Sequence, residues 1–228
     1  MLIGGLQKTT LLDYPDKVAA TIFTIGCNFR CSFCHNPDIV KGIARVISTD
    51  TVLKFLKGRQ SLLDAVCITG GEPTIQTGLI SFLTKIKKLG YLIKIDTNGQ
   101  NPEVLQKLID KKLVDYAAMD IKAPWRKYAK VVCRPIDLSK IKKSVMILKQ
   151  GKIDYEFRST VLPALHSHED IEAMAQQLKG SRKYYLQQFR PSAKLVNQNF
   201  TSEKTYTKRE LNEILQPFKE WFLDCRVR

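Results

Sequence analysis

The chain has 228 residues, 44% of them hydrophobic, so it can build a sizeable core and is not a disordered segment. Its 37 Lys and Arg against 22 Asp and Glu give a formal net charge of +15, but the basic residues are scattered through KKLG, DKKL, KIKK and SRK without interleaved aromatics, so nucleic acid is not the expected substrate. No apolar run reaches the roughly 18 residues of a membrane span, and MLIGGLQKTTLLDYPDK lacks the parts of a secretory signal, so the cytosol is the expected location.

Residues 1–17 read as an N-terminal extension. The first β-branched run, VAATIFTI at 18–25, is a strand that leads straight into GCNFRCSFCHNPD at 26–38. A helix is expected at 49–58, strand DAVCIT at 64–69 with TGGEPT at its end, a helix at 76–89, and strand YLIKIDT at 91–97 ending in DTNG. Pro102 suits the first turn of a helix at 102–111. Strand VDYAAMDI at 114–121 runs on into MDIKAP, followed by a helix at 138–149 and strand DYEFRSTV at 154–161. Ser167, with Glu169 and Asp170 behind it, has the N-cap and acidic first turn of a helix at 168–179. Strand KYYLQQF at 183–189 is followed by a segment without clear pattern at 191–206 and a last helix at 208–223.

Strand–helix units of this length imply an α/β fold with parallel strands and right-handed crossovers, either doubly wound or curled into a barrel or part of one. Both arrangements place chemistry at the C-terminal ends of the strands. The cysteine loop, TGGEPT, DTNG and MDIKAP all fall there. No Pro/Gly/Ser-rich linker divides the chain, so 1–228 reads as one domain, with a core at about 18–190 and a loop and C-terminal helix at 191–228.

Cys27, Cys31 and Cys34 are crowded together, while Cys67, Cys133 and Cys225 stand far apart. In a cytosolic chain such crowding reads as metal binding rather than a disulfide framework. Cys67, in AVCIT, reads as a small buried core residue. A structural zinc needs four closed ligands, and Cys34 and His35 are adjacent, which makes it awkward for both to reach one ion. An iron–sulfur cube held by three thiolates keeps one iron open to a ligand that is not protein.

C-x3-C-x2-C after the first strand resembles the radical S-adenosylmethionine (SAM) enzymes, as do Phe33 before the third cysteine and Gly70-Gly71-Glu72 at the end of the second strand. The resemblance implies a partial (β/α)6 TIM-like barrel, a [4Fe-4S] cluster on Cys27, Cys31 and Cys34, and SAM chelating the fourth iron. One electron then cleaves SAM to a 5′-deoxyadenosyl radical. Phe33, Cys34 and His35 would lie against SAM, and Gly70 and Gly71 would let backbone approach it closely. Glu72 either binds the ligand or fixes the turn.

The long cysteine motif, IGGLQKTTLLDYP and QQFRP look more narrowly like the glycyl-radical-enzyme activases, above all the activators of anaerobic ribonucleoside-triphosphate reductase. That resemblance implies a glycyl radical enzyme as partner and a flavodoxin or ferredoxin-type electron donor. It implies SAM contacts from Asp120, Lys122 and Arg158, and a monovalent cation, Na+ or K+, held by Asp96, Thr97 and Asp120. On the sixth strand Gln188 or Arg190 would stand where related activases carry a histidine. Two other functions remain to be separated: a radical SAM enzyme acting on a small molecule, as 7-carboxy-7-deazaguanine synthase does, and a structural zinc or passive iron–sulfur protein. Trp125 and Tyr128 read either as a partner-facing loop or as aromatics packed beneath one. His166 and His168 read as cap or surface residues, and Asn98-Gly99 as a turn.

Overall fold

The computed structural model describes residues 1–228. Its sheet has eight strands: β1 (Ile3–Thr10), β2 (Ala19–Thr24), β3 (Ala65–Gly70), β4 (Leu92–Thr97), β5 (Tyr116–Asp120), β6 (Asp154–Val161), β7 (Lys183–Gln188) and β8 (Asp224–Val227). Each strand lies beside its neighbour in sequence, and β1 and β8 are the two edges. All pairs from β2 to β8 are parallel; β1 joins β2 antiparallel. The sheet is α/β and curls into an incomplete barrel, tightly enough that Tyr14, just before β2, packs on Tyr116 of β5 with ring centroids 5.8 Å apart.

β2 to β7 are the six strands expected from sequence. β1 and β8 are additions: β1 lies within the N-terminal residues 1–17, and β8 follows the C-terminal helix. β1 carries Gly4, Gly5, Gln7 and Lys8, poor strand formers, and its register is broken by bulges, as befits an edge. The expected helix at 208–223 stops at Leu215. Pro217 has no N–H to continue an i→i−4 ladder, so Gln216–Trp221 tightens into 3₁₀ turns that feed β8.

Eight helices cover the outside: α1 (Pro37–Lys41), α2 (Thr49–Lys57), α3 (Leu79–Lys88), α4 (Pro102–Asp110), α5 (Tyr128–Val132), α6 (Leu138–Lys149), α7 (His168–Leu178) and α8 (Lys208–Leu215). Their starts are chemically marked. Pro102 opens α4, and capping boxes pair Ser167 with Asp170 on α7 and Thr207 with Glu210 on α8. Leu56, Leu83 and Leu108 from three of these helices join Ile22, Ile68, Ile95 and Phe157 from the outer strand faces in one buried core. Each such side chain contributes about 1.5–3 kcal/mol by leaving water.

The opposite strand face lines the barrel and is polar. Thr21, Cys67, Lys94 and Tyr116 lie in one register layer, and Asp96, Ala118 and Glu156 in the next. Alternation of period two therefore sends aliphatic side chains out to the helices and charged ones in toward the site.

Candidate cofactor site

A cavity of about 230 Å³ opens at the C-terminal ends of the strands. Its wall combines Cys27, Cys31 and Cys34 from the loop after β2, Gly70 to Glu72 after β3, Asp96 to Asn98 at β4, and Asp120 and Lys122 at β5. The loop after β2 is tied down by backbone: Gly26 N–H donates to Ile39 O, and Gly26 O accepts from Glu72 N–H, both at 2.8 Å. A Cβ on Gly71 would sit 1.9 Å from Gly26 O, and one on Gly70, whose φ is +110°, 2.3 Å from Thr24 N. Two glycines are thus needed for β3 to end against β2 with bare backbone facing the cavity.

All three thiols are free. Burial pushes the Cys31 thiol up to about 12 against the pull of the Lys122 charge. Burial, with the Glu72 charge added, pushes Cys27 up to about 11. Phe29 N–H points at Cys27 Sγ from 3.4 Å, a donor suited to a thiolate. Arg30 clamps the loop by donating to the carbonyls of Cys27 and Phe29. From the far side, Val196 N–H and Asn197 N–H donate to the carbonyls of Cys34 and Ser32, each at 3.0 Å, so residues 190–206 strap the loop in place.

Glu72 fixes the turn. It is 1% exposed, and Oε1 accepts from Thr74 N–H, the Thr74 hydroxyl and the Thr97 hydroxyl, while Oε2 accepts from Asn98 N–H at 2.7 Å. Burial raises its pKa although these donors pull the other way. The carboxylate thus laces the end of β3 to the end of β4. The Thr97 hydroxyl is also occupied twice, since it accepts from Gly99 N–H at 3.1 Å.

Asp96, Asp120, Lys122 and Arg158 come together at the strand ends, and Lys94 joins them. The five form an alternating chain. Lys94 Nζ meets Asp96 Oδ1 at 2.5 Å, Arg158 meets Asp96 Oδ2 at 3.3 Å and Asp120 Oδ1 at 3.0 Å, and Lys122 Nζ meets Asp120 Oδ2 at 3.1 Å. Burial would raise the Asp120 pKa, but Arg158 and Lys122 outweigh it and hold the carboxyl at about 2. Asp96 is lowered likewise, burial being outweighed by Arg158 and Lys94.

Phe33 is buried at the cavity wall, edge-on to His166 and Phe189. His35 also lines the cavity; its ring lies 5.5 Å from Phe189, and Nε2 donates to Arg190 O at 2.7 Å. Gln188 and Arg190 do not line it: the Gln188 amide donates to Tyr206 O, and Arg190 is exposed. Gln187 is the residue in register with Thr160, a wall residue, and the two side chains meet at 3.3 Å. One residue along a strand changes the face, so Gln188 is turned away. Asn98 lines the cavity too and donates to Asn28 Oδ1 at 2.7 Å beside Cys27, a placement its turn reading did not show.

His166 is fully buried rather than superficial. Its Nδ1 accepts from Leu162 N–H, so Nε2 donates to Lys122 O at 2.8 Å, and burial lowers its pKa. Trp125 stacks on buried Tyr128, whose hydroxyl donates to Asp120 O, so these aromatics pack beneath the loop.

A model of the radical SAM superfamily matches residues 21–178. Over its full length the chain is 34% identical to a protein of Methanocaldococcus jannaschii provisionally named a glycyl-radical enzyme activating enzyme, of which it covers 95%. It is 35% identical to the pyruvate formate-lyase-activating enzyme of Listeria monocytogenes over 132 residues, 53% of this chain and 52% of that protein. The crystal structure of Streptococcus suis SuiB bound to precursor peptide SuiA superposes with a TM-score of 0.69 at 14% identity, over 91% of this chain and 48% of that one, which shows a shared fold.

Proposed function

The chain belongs to the radical SAM superfamily, and from that premise we propose that it installs a glycyl radical on a partner enzyme, an anaerobic ribonucleotide reductase. The observation that carries this reading is the full-length match to a protein provisionally named an activating enzyme, of nearly equal length, combined with a cavity whose three thiols sit on one loop. The donor set fits a [4Fe-4S] cluster with SAM. Three cysteines face the cavity, bare backbone at Gly70 and Gly71 forms the wall beside them, and an ammonium at Lys122 lies close to an anionic ligand's reach.

Cys27, Cys31 and Cys34 would hold the cluster, and each must release its proton to do so. When bound, the cluster and SAM together supply a one-electron cleavage whose 5′-deoxyadenosyl product takes hydrogen from carbon. The chain's own residues position and shield that chemistry. Gly70 and Gly71 admit the methionine end close to backbone, Phe33 and His35 offer ring faces for the adenine end, and Asp120 with Lys122 addresses polar groups between them. The strap at 190–206 holds the loop in place through the N–H groups of Val196 and Asn197. Residues 1–228 act as one domain, in the cytosol, with a flavodoxin or ferredoxin-type protein as electron donor. No helix is long and apolar enough to cross a membrane.

The test mixes anaerobically reconstituted protein, SAM, a reductant and the anaerobic ribonucleotide reductase of the same organism, and reads the glycyl radical by EPR. A glycyl doublet is expected, and Cys31→Ala should abolish both it and 5′-deoxyadenosine formation. Vigorous SAM cleavage with no glycyl radical on any such enzyme would transfer the activity to a small-molecule substrate.

A further inference from the structure

Two carboxylates beside the carboxylate of a bound amino acid would repel it, and an inorganic cation between them is one remedy. This chain carries a different remedy. Arg158 stands between Asp96 and Asp120 with its guanidinium bonded to both, at 3.3 and 3.0 Å. Lys94 takes the remaining oxygen of Asp96, and Lys122 the remaining oxygen of Asp120. Each of the four carboxylate oxygens therefore already has a cationic partner. Thr97, the neutral ligand of such a cation site, has its hydroxyl committed to Glu72 and to Gly99 N–H. The residues do not fit a bound Na+ or K+.

The charges agree with the geometry. Lys94, Arg158 and Lys122 are three cations against two anions, Asp96 and Asp120, leaving one positive charge for one incoming carboxylate. The next acid down the barrel, Glu156, does not change this count. It is met by Arg228 at 3.2 Å, while Arg158 lies 3.9 Å away. Glu72 is satisfied by neutral donors. Lys94 is 2% exposed, and two residues before Asp96 it shares the same strand face. Its reach ends on Asp96 and on Cys67, whose Sγ is 3.8 Å away, so it acts through Asp96 rather than on a ligand.

We infer that Lys94 is a positioning residue which, with Arg158, replaces a monovalent cation in this enzyme, so that SAM binds without Na+ or K+. The inference rests on SAM occupying the cavity but not on which substrate meets the radical. The test measures the Kd for SAM on reconstituted full-length protein in choline chloride, NaCl and KCl at equal ionic strength. Values within about twofold of one another are expected, and a loss of about tenfold in choline overturns the inference. The cluster-free protein should unfold at the same temperature in choline chloride and KCl; a rise specific to K+ would reveal a bound cation and overturn it too.

Lys94→Met should weaken SAM binding by about tenfold or more in choline and recover in KCl, K+ entering where the ammonium was. A variant with the parent's circular dichroism that binds normally in choline, or fails to recover in KCl, overturns the role of Lys94. Should Lys94→Met not fold, the parent's two salt series decide. Absence of SAM binding in every salt would reject the cofactor reading instead, and the unfolding series would still test the cation.

Discussion

At the C-terminal end of the barrel, β2 and β3 are drawn together by main chain, with Gly71 packed on Gly26 O and Glu72 lacing two strand ends through four hydrogen bonds. At the other end, Tyr14, Ala19, Ala65 and Tyr116 form a small apolar cluster, with the Tyr116 hydroxyl donating to Glu156 at 2.9 Å. The difference teaches why the site can be both rigid and chemically available. Where backbone and one buried carboxylate hold the strands, thiols and charged side chains need not serve as packing and remain free to face the cavity. Where nothing is to be bound, ordinary packing suffices and tolerates repacking.

The comparison breaks most directly at Gly71. Gly71→Ala places a methyl against Gly26 O and should cost more than about 3 kcal/mol in denaturant unfolding, with loss of SAM binding. A variant as stable as the parent would show that the backbone contact is not what joins these strands. Next in size, Glu72→Gln replaces one accepting oxygen with an amide NH2 facing the Asn98 N–H or the two hydroxyls, at about 2–3 kcal/mol. Its unfolding midpoint should fall while the cysteines stay able to take up iron.

A pH series sharpens the same contrast. Asp120 is held at about 2 in the fold, below its ordinary 3.8, so its stabilising contribution is present above pH 4 and disappears as pH falls toward 2. Unfolding measured between pH 5 and 2 should show a loss on the order of 2 kcal/mol that Asp120→Asn does not show. A parent profile parallel to that of the variant, in which Asp96 and Asp170 still titrate, would mean that the Asp120 ion pairs contribute nothing. Smallest is Tyr14→Leu at the packed end, expected to cost about 1 kcal/mol and to leave SAM affinity within about twofold. A large loss of SAM binding there would erase the distinction between the two ends.

Much of this arrangement was legible in the sequence, because runs such as VAATIFT and YLIKIDT are apolar and β-branched enough to be strands in any context. The cysteine loop and GGE could be placed because they follow such runs directly. β1 was not legible, since glycines, Gln7 and Lys8 make a strand only where an edge position relieves them of packing. β8 is four residues long and is held by pairing with β7 rather than by its own pattern. Whether Gln187 or Gln188 faces the cavity depends on a one-residue register that only pairing with β6 resolves. Lys94 is the basic residue of YLIKIDT, and nothing in KIDT says that its ammonium is buried beside Asp96 rather than solvated.

The high proton affinity of Cys31 and Cys27 has a consequence for the life of the newly made chain. Thiols held near 11 and 12 are almost wholly protonated at neutral pH, and a protonated thiol is a poor nucleophile toward oxidants and disulfides. Before iron arrives, Cys27 and Cys31 are therefore poor partners for a wrong crosslink. Maturation then becomes an exchange of protons for iron, faster in alkaline medium, which makes the order of events after synthesis part of what the fold specifies.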